Sequence, residues 1–227
     1  MIYRSAVFSR KEGLSSEEFR THWINVHGTL AKHMPHLHAY NQNHIAECLY
    51  ETDEPLDHAI AGISQLAFDD IGAMERSEVS PEYVAVKHDI PNFQGAITIL
   101  VLSPHVVVEP PAKFENTRTK LFWLSIANGD ISSTSIQQEW PLTSRQEYAK
   151  VSEFEGFIQN FVVDRAHPVS AGVPQGVLPV EAISEAWFED VDALKAWVSS
   201  DVGQRLIHQD PMLKTIGVYV IEELTII

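Results

Sequence analysis

The chain has 227 residues, a formal charge of -15, a pI near 5.0 and one cysteine. That charge repels a phosphate backbone or an anionic bilayer, which sets aside nucleic-acid and membrane partners. The lone thiol, Cys48, permits no disulfide within the chain and no thiolate cage for zinc, and it reads as a small buried apolar side chain.

The opening MIYRSAVFSRKEG lacks the basic leader and long apolar core of a signal peptide, and no run reaches the length of a membrane span. A soluble, cytoplasmic protein is expected. Ile2 to Phe8 alternates as a strand, and Ser15 to Met34 reads as one helix. Ser15 and Ser16 supply cap oxygens at its start, Glu17 and Glu18 add first-turn negative charge, and Pro35 stops it. Phe19, Trp23, Val26, His27, Leu30 and Met34 recur at helical spacing and form one face, which a sheet must cover.

Strands follow over residues 38–47 and 59–68, helical pieces over 70–77 and 81–88, and a fourth strand over 96–102. This β-α-β-β-α-β order is the ferredoxin-like arrangement, a four-stranded antiparallel sheet with two helices on one face. The order recurs after a polar, proline-containing connector from Ser103 to Thr119. An offset of 120 aligns Ile63–Asp70 with Ile183–Asp190 and continues to His88 with His208 and Pro91 with Pro211. Backwards, the same offset pairs Tyr3 with Trp123 and Ser5 with Ser125, whereas 117 pairs Trp23 with Trp140 and Tyr40 with Phe157. A three-residue shortening of the second copy's first helix would reconcile the two offsets. The chain therefore reads as two fused α+β ferredoxin-like modules, residues 1–110 and 118–227. Their bare sheet faces bury one another in an intrachain barrel with the helices outside.

Six of the eleven histidines, His22, His27, His33, His36, His38 and His44, crowd into the first copy. His33, His36 and His38 are close together but lack helical metal-ligand spacing, so no metal and no cofactor are assigned. Proton transfer explains the cluster better, because imidazole titrates near neutrality. His27 lies on the sheet-facing stripe, and Tyr40, Gln42 and His44 project from one face of the following strand. The second copy acts as a control: Ser144 stands opposite His27, Phe157 opposite Tyr40, Phe161 opposite His44 and Glu139 opposite His22. The scaffold alone does not demand those polar residues. We assign His27, Tyr40, His44 and His22 as candidate catalytic residues, with Trp23 and Gln42 as candidate substrate contacts.

The run Arg10–Phe19, then His22-Trp23, Val26-His27-Gly28, Leu30-Ala31 and Tyr40, with His88–Phe93 later, resembles the EthD family. The resemblance covers most of the first copy and implies the dimeric α+β barrel superfamily. Members include isomerases of methyl-substituted muconolactones and decarboxylases and dehydratases of aromatic polyketides, and relatives in the superfamily include cofactor-free monooxygenases and haem enzymes. In the isomerases, residues matching His27 and Tyr40 are implicated in the site, while the cysteines implicated there have no counterpart here. The resemblance thus implies a cofactor-independent lyase or isomerase acting on a small cyclic or aromatic metabolite. Alternatives are a non-catalytic small-molecule-binding protein and a cofactor-free or haem-linked monooxygenase. The fused barrel could pair again as a homodimer.

Overall fold

The computed structural model describes residues 1–54, 56–110, 119–165, 167 and 169–227. The first half runs β1 (Ile2–Arg10), α1 (Ser16–His22), a π turn (Trp23–His27), α2 (Gly28–Ala31), β2 (Ala39–Glu51) and β3 (Gly62–Phe68). It ends with α3 (Ile71–Glu78), α4 (Pro81–Asp89), a short 3₁₀ turn (Ile90–Asn92) and β4 (Gln94–Val108). The second half runs β5 (Thr119–Ala127), α5 (Ser133–Thr143), α6 (Arg145–Tyr148), β6 (Gly156–Asp164), β7 (Ala182–Phe188), α7 (Val191–Ser199), α8 (Asp201–His208) and β8 (Leu213–Thr225). Helix starts use the same chemistry in both halves: Ser15 and Ser132, Asp70 and Asp190, and Ser80 and Ser200 each accept a backbone N–H of the first turn.

All strand pairs are antiparallel. Within each half the order is the same, β4-β1-β3-β2 and β8-β5-β7-β6, and the pairs β2–β8 and β4–β6 close an eight-stranded barrel. Closure leaves no sheet edge unpaired. Alternation then sorts the side chains: Val7, Ile63, Leu100, Phe122, Ile183 and Ile221 fill the barrel, while outward-facing residues meet the helices in separate clusters. At the polar centre of the barrel, Lys120 lies 2.6 Å from Glu185 and 2.8 Å from Glu223 and donates to Asn43, joining strands of both halves. Among the described residues, no helix is long and apolar enough to cross a membrane.

Several expectations need correction. The connector is shorter than the Ser103–Thr119 segment, because β4 runs on to Val108 to pair with β6; residues 111–118 lie outside the described residues. Register also revises the repeat. Ile2 pairs with Phe68 where Thr119 pairs with Phe188, so Tyr3 corresponds to Lys120, not Trp123, and Ser5 to Phe122, not Ser125. Tyr3 faces the barrel interior and Trp123 the helices, so a three-residue error had flipped the side chain to the wrong face. The offset of 117 thus holds from β1 through β2, and the first helical segments keep equal spacing from Ser15 and Ser132. The three extra residues of the second copy fall between its second and third strands. Val26 is exposed rather than buried, because the wider π turn carries the apolar stripe from Trp23 to His27 and past it. Cys48 is exposed, not a core residue.

Candidate active site

The site lies between the helices and the outward face of the first-half strands. Its shape begins with the π turn. Gly28 N–H bonds the carbonyl of Trp23, five residues back, and both Trp23 and His27 are buried against the sheet. Gly28 and Gly62 make the close approach possible. A Cβ on Gly28 would come within 3.0 Å of the Gln42 amide nitrogen, and one on Gly62 within 2.5 Å of the Trp23 ring.

His27 reaches Asp89, at the end of α4, through Nδ1 (3.0 Å). The other carboxylate oxygen of Asp89 takes His22 Nε2 (2.8 Å) and the Asn92 amide (3.1 Å). Burial works to raise the Asp89 pKa, but hydrogen bonds from His27, Asn92 and His22 outweigh it and hold the carboxyl at about 2. Burial lowers the His27 pKa despite that carboxylate, so its ring is neutral at pH 7. An ionised acceptor at Nδ1 fixes the proton there and leaves Nε2 as a free base.

The Tyr40 phenol is fully enclosed. Its oxygen accepts from Trp23 Nε1 (3.0 Å) and from Gln42 Nε2 (3.1 Å). Neither group can accept in return, so the phenolic hydrogen is left for a ligand. Burial raises the Tyr40 pKa, which keeps the phenol protonated and able to donate. Gln42 is held in turn: its Nε2 also donates to the Trp23 carbonyl (2.8 Å), and its oxygen accepts from His44 Nε2 (3.1 Å).

His27 and Tyr40 both line one narrow cavity, together with Arg4, Ser64, Gln94 and an apolar wall that includes Ala31, Met34, Leu66, Ile97, Ile99 and Val169. Its volume is only about 30 Å³, room for a water or two. A ring-sized ligand therefore has to displace a mobile wall group, and Met34 is suited to that. The other expected site residues stand behind these two. Trp23 is packed against Phe8 (4.8 Å between ring centres) and His44 (4.3 Å), Gln42 is spent on its neighbours, and His22 acts only through Asp89. His44 lines a second, open cleft on the far side of Trp23 with Arg10, Arg20 and Ile60.

Residues 11–95 match the model of the EthD domain. The match lies wholly within the first half of the chain. No curated protein sequence matches the chain. Among solved structures, an anthrone oxidase-like protein superposes on this chain with a TM-score of 0.62 at 8% identity, over 99% of this chain and 93% of the other. A candidate monooxygenase from Lactobacillus acidophilus NCFM gives 0.54 at 13% identity, over 100% and 94%. A mutant chlorite dismutase from Candidatus Nitrospira defluvii gives 0.53 at 10%, over 99% and 92%. At such identities the likeness is one of fold, an antiparallel α+β barrel.

Asp89 and Arg4 were missed as site residues. Asp89 stands in the quoted His88–Phe93 run, but nothing local in the sequence says that it turns toward the first helix. Arg4 left a usable signal: it alternates in phase with Ala6 and Phe8, a cation on the face that helices cover.

Proposed function

We propose that the EthD half is a cofactor-independent proton-transfer site, and that the protein is a lyase or isomerase acting on a small cyclic or aromatic carbonyl compound. The observation that carries this reading is that His27, whose Nε2 makes no hydrogen bond among the described residues, and Tyr40, whose phenolic hydrogen no neighbour among them accepts, line the same cavity. His27 Nε2 removes a proton from a carbon beside the substrate carbonyl. The electron pair moves onto oxygen, where Tyr40 O–H stabilises the developing enolate. The imidazolium, balanced by Asp89, returns the proton to another carbon in an isomerisation or to a leaving group in an elimination. The chain is then best read as two fused ferredoxin-like modules, of which the second supports and the first reacts.

The test uses cyclic ketones, lactones and phenolic acids in deuterated water, followed by mass spectrometry. Wild type exchanges or converts one class, and His27→Gln lowers the rate by about 10²–10⁴-fold, the usual contribution of a positioned base, with an unchanged thermal midpoint. Loss of stability with activity retained would reverse the assignment.

A second reading, cofactor-free oxygenation, draws on the likeness to the anthrone oxidase-like protein and begins with the same proton abstraction; oxygen uptake during turnover separates the two. Haem does not fit this cavity, which is too narrow for a macrocycle. Binding without any exchange would instead favour a carrier.

A further inference from the structure

Proton transfer leaves one charged wall of the cavity unexplained. Arg4 is 5% exposed and lines the space beside His27 and Tyr40. Its Nε donates to Glu78 (2.6 Å), and a terminal nitrogen donates to the Tyr83 hydroxyl (2.6 Å). These bonds use two of the five N–H groups of a guanidinium. Glu78 is itself shared, since its second oxygen takes His167 Nδ1 (3.1 Å). Gln94 adds a buried side-chain oxygen with no hydrogen-bond partner on the same cavity.

Glu78 balances the charge of Arg4, but the orphaned acceptor of Gln94 costs stability unless something answers it. The scaffold does not require either. Strand register places Leu121 where Arg4 stands and Leu213 where Gln94 stands. In the matching helices, Val198 and Gly203 stand in for Glu78 and Tyr83. The second half folds around an apolar core at these positions, without the polar set. The charged wall is thus confined to the half that has the His27 cavity.

We propose that Arg4 is a carboxylate anchor, so that the ligand of the His27 site is a small cyclic or aromatic acid carrying a donor group that Gln94 receives. This rests on the proton-transfer reading for its chemistry but not for its binding. The planar guanidinium meets a carboxylate with two parallel hydrogen bonds, and Glu78 and Tyr83 hold its plane still. Binding then turns the reacting carbon toward Nε2 of His27, with the acid fixed at the opposite wall.

Titration calorimetry with matched probes, benzoate and salicylate against benzamide and salicylamide, tests the anchor. Wild type binds each acid at least tenfold more tightly than its amide. The double substitution Arg4→Leu/Glu78→Val installs the pair already used by the second half, and it brings the acid and amide affinities within twofold. Arg4→Gln/Glu78→Gln, which is closer in shape, repeats the test should the first variant fold poorly. Equal affinities in wild type, no saturation by either acid, or a preference surviving both double variants would overturn the proposal. His27→Gln keeps the acid preference, because anchor and base are different groups. Lost preference with His27-dependent exchange intact would strike the anchor alone; kept preference with exchange indifferent to His27 would strike the proton-transfer reading alone.

Discussion

The two halves share strand order, helix caps and a tryptophan in the first helix, yet they settle that tryptophan differently. In the first half, the Trp23 carbonyl is bonded by Gly28 N–H, and its indole nitrogen donates to Tyr40. In the second, the Trp140 carbonyl takes Ser144 N–H one residue earlier, and its indole donates to Asp210 (2.9 Å). Tyr148, Phe154, Phe157 and Phe161 then stack into the space around it. One backbone plan therefore supports either a hollow lined by His27 and Tyr40 or a core of packed rings with a separate polar cleft at Ser144 and Asp210. A wider turn in the first helical segment accompanies the choice without an inserted residue, since Trp23 to Tyr40 and Trp140 to Phe157 are equally spaced, and π turns are frequent at functional sites.

Exchanging residues between the halves tests this contrast. The largest effect is expected from His27→Ser, the residue the second half uses: turnover falls about 10²–10⁴-fold, because the hydroxyl is no base at neutral pH. Steady-state kinetics on the substrate found by the exchange screen measures it. A loss below tenfold would mean that the imidazole is dispensable and that the contrast between the halves is one of packing.

Next in size is an acid-sensitivity effect at His44. Burial chiefly, with Arg20 nearby, lowers its pKa to about 3. The unfolded chain takes up that proton near pH 6.5 and the folded chain refuses it until about 3. The contribution of the neutral ring is therefore complete above 6.5 and is lost as pH falls through that window, on the order of a few kcal/mol. His27 adds to the same slope in the same direction. His44→Phe, the counterpart of Phe161, removes its share, so urea unfolding at pH 7 and pH 4 should differ less in the variant than in wild type. An equal pH difference in both proteins would count against the burial argument.

Tyr40→Phe, copying Phe157, leaves Trp23 Nε1 without its acceptor and Gln42 Nε2 with only the Trp23 carbonyl. A cost of about 1–3 kcal/mol in chemical denaturation follows from burying an unpaired donor, with a rate loss from the missing phenolic hydrogen. Stability gained instead would show that the phenol is retained at the expense of the fold.

The barrel was legible because alternation, caps and internal repetition all point to the same backbone plan. His27, Tyr40 and His44 were legible because each departs from its counterpart in the second half, whereas Gln42 matches Gln159 and was legible only from its place between Tyr40 and His44 on one strand face. Asp89 and Arg4 were harder to read. Asp89 meets His27 only after α4 packs on the first helix, a contact between residues 62 apart in sequence. Arg4 faces a leucine under either alignment of β1, Leu124 at an offset of 120 and Leu121 in the observed register; what the sequence did not show is that Glu78 and Tyr83, more than seventy residues on, meet it beside His27. The π turn leaves no periodic signature, as widening one turn merely slides the stripe and makes Val26 look buried.

The smallest effect is expected at Gly62, where the second half carries Ala182. In a strand, alanine gains about 0.5–1 kcal/mol over glycine by restricting the unfolded chain. Here that gain is opposed, because the new methyl would lie 2.5 Å from the Trp23 ring, where a well-packed core charges about 1–3 kcal/mol for the intrusion. Gly62→Ala should therefore lose only about 1 kcal/mol in denaturation, yet slow turnover, because a shifted indole no longer fixes the Tyr40 oxygen. The second half tolerates its alanine by turning Trp140 to Asp210. If Gly62→Ala were neutral in both stability and rate, the indole would have another resting place in the first half, and the position of Trp23 would owe nothing to the π turn.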